Sequence, residues 1–124
     1  MPNSDELLAV SLTEDERYML TFGLKDWNGP TNPTESMAVA LGFADVNDLH
    51  VEGDRIAEAI YAGEALTQRD WSRALLATEV AFASTVVGAA AEWGSVHGAT
   101  DAQWIGVLRA LQRKVPASRR FVGP

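Results

Sequence analysis

Apolar residues recur along this chain at helical spacing, and no segment alternates with the period of two that marks a strand. The clearest stripe is Val46, Leu49, Gly53, Ile56 and Ile60, whose steps of three, four, three and four trace one seam of a helix. Asp45 stands where an N-cap belongs, and Gly63 follows the last apolar position at Tyr61 and Ala62. Gly53 lies on the seam, so another helix is expected to approach closely there.

The other elements carry start and stop signals of their own. Thr13-Glu14-Asp15-Glu16 reads as a capping box, opening a first helix whose apolar side is Met19, Leu20, Phe22, Leu24 and Trp27. The breaker run Asn28-Gly29-Pro30-Thr31-Asn32-Pro33 ends it. Asn32 as N-cap and Pro33 at the first helical position predict a short second helix to Leu41, with Gly42 as its C-cap. Thr67, with Asp70 three residues on, caps a fourth helix marked by Trp71, Leu75, Phe82, Val86 and Trp93. Unbroken to Gly98 it would run roughly 45 Å, with Gly88 and Gly94 as weak points. Thr100 and Gln103 form a further capping box before Trp104, Leu108, Leu111 and Val115, and Pro116 stops that helix.

These signals predict an all-α fold, a compact bundle of about five helices with one long central helix. Residues 13–115 form the helical domain. Residues 1–12 read as a weakly ordered N-terminal segment and residues 116–124 as a mobile basic tail. The 18 residues from Ala74 to Ala91 carry one charge, Glu79, but many are Ala, Ser or Thr. A carboxylate in mid-span costs a few kcal/mol in hydrocarbon, so a buried core helix is expected and no membrane association.

Composition narrows the chemistry. The 124 residues hold no cysteine, which excludes disulfides, thiolate nucleophiles and thiolate zinc sites. The acidic start, with no basic residue before the first short apolar run, does not read as an export signal, and the expected compartment is the cytoplasm. The net charge of −7 is unevenly spread: residues 1–66 hold 13 acidic and three basic side chains, residues 67–124 hold four and seven. An acidic half keeps a protein soluble, and it also suits a basic partner.

Four residues stand out as candidates for a ligand or interface. Glu79 falls near the middle of the apolar arc of the fourth helix, where an ionised carboxylate needs a partner or a shifted pKa. Arg109, Arg113, Tyr18, Tyr61 and Trp104 are the available partners; the other readings are a cleft or a dimer interface. Trp27 either closes one end of the core or, if exposed beside its Pro-rich loop, anchors a partner. Asp48 and Glu52, with Asp54 and Glu58, make the side of the third helix opposite its seam acidic. His50 and Asp54 lie one turn apart, which gives two ligands at most, and His97 is about 27 Å along the axis from Glu79. No metal or other cofactor is implied. The chain lacks a phosphate loop, a dinucleotide fingerprint and a serine-nucleophile motif.

Helices two and three loosely resemble a helix-turn-helix, through the spacing Ala38 to Gly42. The helix that would read DNA carries Asp45, Asp48, Glu52 and Asp54, so phosphate would be repelled and nucleic acid is not the expected partner. Residues Thr34 to Ile60, together with Asp70-Trp71-Ser72-Arg73-Ala74-Leu75-Leu76-Ala77-Thr78-Glu79, resemble a family of small helical proteins from GC-rich bacteria. The resemblance covers 13–115 and implies a fold type, with no activity and no functional residues. Three functions stay open: a non-enzymatic binding or regulatory protein that turns its acidic half to a basic partner, a small-molecule binder or minor enzyme around Glu79, and a homodimeric module.

Overall fold

The computed structural model describes residues 6–28, 33–86 and 101–116. Five helices carry the fold: α1 (Glu14–Lys25), α2 (Glu35–Ala40), α3 (Val46–Tyr61), α4 (Gln68–Val86) and α5 (Asp101–Lys114). A 3-10 turn at Asp26–Asn28 closes α1, and two short strands, β1 (Leu7–Leu8) and β2 (Leu66–Thr67), complete the described elements. No described helix is long and apolar enough to cross a membrane.

Local chemistry accounts for most boundaries. Thr13 accepts from the Glu16 amide at 3.1 Å while Glu16 accepts from the Thr13 amide at 2.8 Å, so the expected capping box forms. Asp45 accepts from Asp48 N at 2.7 Å, and Thr67 from Asp70 N at 3.1 Å. Gly42 (φ +98°) and Gly63 (φ +78°) take the left-handed conformation that ends α2 and α3, which a Cβ would strain. One cap differs from the sequence reading. Thr34, extended at φ −97° and ψ 165°, receives the Met37 amide and caps α2 in place of Asn32. A hydroxyl directly after Pro33 suffices, and the helix starts two residues later than expected. Asn32 itself lies outside the described residues.

The strands are a correction. Nothing alternates in either segment, yet Leu7 pairs with Thr67 and Leu8 with Leu66 in an antiparallel ladder. Two residues are too short for a period to show. The Trp71 indole donates to the Leu8 carbonyl at 2.8 Å, and Leu8, Val10 and Leu12 rest against the core. Leu7, Leu8, Val10 and Leu12 are thereby placed against the rest of the chain.

The core lies between α1, α3, α4 and α5, with α1 packed against the other three. Met19, Leu20, Leu49, Ile56, Ile60, Trp71, Leu75 and Leu111 are sealed from solvent. The close approach occurs at Gly23, not Gly53. A Cβ on Gly23 would lie 2.7 Å from Thr78 Cβ and 2.8 Å from its Cα, whereas one on Gly53 would meet only Leu49 at 3.8 Å. Small residues on α4 (Ala74, Ala77, Thr78 and Ala81) are all buried and leave room for α1. The continuation of the fourth helix expected past Val86, with Gly88, Trp93, Gly94 and His97, falls outside the described residues, as do Thr100 and residues 117–124.

Two polar ties lock the bundle. Asp70 holds Arg55 at 2.9 Å and Arg73 at 3.3 Å. Arg73, buried, also donates to the Gly42 carbonyl at 2.9 Å and lies 4.7 Å above the Phe43 ring, fastening the α2–α3 turn to α4. Burial first, then the charge of Arg69, draws its guanidinium below the ordinary arginine value. At the other end Lys114 reaches Glu16 at 2.7 Å, so the last turn of α5 joins the N-cap of α1.

Candidate functional site

The four candidate residues fall in three separate places. Trp27 is 3% exposed and its indole donates to the Ala77 carbonyl at 3.2 Å. It closes one end of the core, and the condition for an exposed anchor is not met. Leu24 and the 3-10 turn carry it inward onto the small face of α4.

Glu79 is half-buried, on the flank of α4 that faces α5. The centre of the buried face is the row Trp71, Ala74, Leu75, Thr78, Ala81 and Phe82, set by the close contact with α1. The wheel reading counted large apolar residues and so placed the centre too near Glu79. Its partner is none of Arg109, Arg113, Tyr18, Tyr61 and Trp104: Gln112 donates to Glu79 Oε2 at 2.6 Å and in turn accepts from Arg109 at 3.0 Å. With Phe82, Ile105 and Leu108 these side chains edge a shallow cleft of about 310 Å³.

Asp48 and Glu52 are engaged within the chain. Asp48 accepts from the Ala44 amide at 2.9 Å, as the second half of the cap that Asp45 begins. Glu52 binds Arg55 at 2.9 Å. The outward stripe of α3 is instead Val51, Asp54, Glu58 and Tyr61, all exposed, again at steps of three, four and three. Val51 is 57% and Tyr61 66% exposed, so two acids lie between two uncovered apolar groups. The seam spacing of the same helix, continued around its other side, marks these four positions in the sequence.

Two cations meet this edge of α3. Lys25 reaches Glu58 at 2.7 Å, and its ammonium is held above the ordinary lysine value. The hydrogen bond to Glu58 is the main cause, partly opposed by burial and reinforced by the charges of Glu58 and Asp54. Arg55 is likewise raised, first by its bond to Glu52, against burial, then by Asp70.

His50 is half-buried, and its Nε2 is sealed without a hydrogen-bond partner among the described residues. Among the described residues no three His, Asp or Glu side chains are placed to hold a metal ion. Compared with family models, curated proteins and solved structures, the chain finds no match.

Proposed function

We propose that this chain is a non-enzymatic binding protein that presents the outer face of α3 to a basic, partly apolar protein partner. The observation that carries the reading is the stripe Val51, Asp54, Glu58 and Tyr61, where exposed apolar groups bracket two exposed carboxylates. A helix with lysine or arginine flanked by apolar residues matches that order of contacts. The acids of residues 1–66 extend the attraction beyond the contact and favour fast encounter. With no cysteine to protect or oxidise, the cytoplasm is the compartment we assign.

Affinity capture on the tagged full chain tests the reading, with Asp54→Asn/Glu58→Gln as comparison. These near-isosteric changes remove two charges and leave the helix its shape. A partner retained by the wild type at about 50 mM salt should be released at about 500 mM, where screening is short-ranged. The same partner should be missing from the variant. Equal retention by both chains contradicts the assignment to α3.

A second reading, a small-molecule site at Glu79, is favoured by the half-buried carboxylate at the rim of the α4–α5 cleft. Its polar group is already bound to Gln112, which makes it the weaker of the two.

A further inference from the structure

A cleft of about 730 Å³ lies between α1 and the end of α3 and shares only Tyr61 with the α3 stripe. Leu12, Glu14, Arg17, Tyr18, Phe22 and Tyr61 line it. Glu14, Arg17, Tyr18 and Phe22 share one face of α1, at steps of three, one and four, and Tyr61 closes the cleft from the last turn of α3. Its volume is within the range of small-molecule sites.

Two observations say what would fit. The first is Arg17. It is one of three basic residues in the first 66, and among the described residues its Nε is sealed without a hydrogen-bond partner. Its Nη2 stands 3.9 Å from the position a Cβ on Gly63 would take, so the guanidinium lies alongside the turn after α3. The sealed Nε is out of a ligand's reach, so a planar anion in the cleft would be met by the Nη end of the guanidinium. The second observation is the wall. Tyr18 and Phe22 have ring centroids 4.6 Å apart, Tyr18 stacks on Trp104 at 5.6 Å, and Tyr61 is exposed at the mouth. Rings held in this way offer fixed flat surfaces at small entropic cost.

We propose that this cleft binds a small planar aromatic carboxylate, with its ring against Tyr18, Phe22 and Tyr61 and its carboxylate on Arg17. Glu14 at the same cleft limits the ligand to one negative charge. A phosphate or dicarboxylate would meet that side chain and the net charge of −7. The site is independent of the α3 stripe, apart from Tyr61 at its edge.

The test uses the full chain with 2-naphthoate and its neutral counterpart, 2-naphthamide, followed by amide chemical shifts and by calorimetry. The expected result is at least tenfold tighter binding of the acid, with shifts centred on Arg17, Tyr18 and Tyr61. Arg17→Met should abolish that preference and leave the affinity for the amide unchanged, which also verifies that the cleft is intact. Tyr61→Ala should weaken both ligands together. Equal affinity for acid and amide in the wild type, or a preference that survives Arg17→Met, would overturn the assignment. So would naphthoate shifts that fall elsewhere on the chain, whatever the variants do.

Discussion

Thr78 lies directly beneath Gly23, and that contact sets how α1 and α4 meet. A methyl group there cannot be accommodated by a side-chain rotation alone, because the Thr78 backbone is as close as its Cβ. Gly23→Ala is therefore expected to destabilise by about 1–3 kcal/mol through overpacking. Gly53→Ala is expected to be neutral or to stabilise by up to about 1 kcal/mol, since helix propensity favours alanine and the site has room. Urea unfolding followed by circular dichroism checks both, and the opposite order would mean that the helix spacing is wrong. The second residue-scale case is Glu16, which is 4% exposed. Burial alone would raise its pKa, but the Lys114 ammonium and the Thr13 amide outweigh burial and hold the carboxyl below its ordinary value. A carboxyl with a depressed folded pKa adds stability above its unfolded value, and that stability is lost as the pH falls through the folded one. Lys114→Met removes the main opposing interaction, so the acid unfolding midpoint should move to higher pH. At neutral pH the loss should be about 1–3 kcal/mol. An unchanged acid midpoint would show that Lys114 does not hold Glu16.

At the scale of elements, one indole joins the N-terminal segment to α4 beside its β ladder and core contacts. Trp71→Phe keeps a buried aromatic ring and removes the donor to the Leu8 carbonyl together with the volume of the five-membered ring. Hydrogen exchange at residues 6–12 and 66–67 should then accelerate at least severalfold, while α3 amides stay protected. Uniform acceleration over the chain would mean that Trp71 supports the core as a whole. The same elements show what the sequence makes legible. Helix starts at Thr13, Asp45 and Thr67 could be read because each cap is a local hydrogen bond between residues three apart. The stripe of α3 could be read because its neighbours are large and apolar. The β1–β2 pair could not, since it joins residues some sixty positions apart through two backbone rungs. Sequence pattern marks Glu79 and Trp27, but their settings depend on the α1–α4 spacing. That spacing is fixed by small residues, which carry little weight on a hydrophobic wheel. The Gln112 contact is likewise tertiary, with no signal along the chain.

At the scale of the molecule, what sets one pair of acids apart is that exposed apolar side chains flank it on the same face. Asp48 and Glu52 are tied to the chain, and Glu35 is tied to the Val46 amide at 3.2 Å. Asp54 and Glu58 are exposed between Val51 and Tyr61, Glu58 while bridged to Lys25 at 2.7 Å. The binding reading therefore depends on one ordered stripe, and not on a diffuse acidic half. A short basic amphipathic peptide, alternating leucine and lysine at helical spacing, serves as a probe of that distinction. Titrated into the full chain and followed by amide chemical shifts, it should perturb residues 51–61 first and lose most of its effect in Asp54→Asn/Glu58→Gln. Shifts spread evenly over the acidic residues of α1, α2 and α3, and unaltered in the variant, would contradict the account.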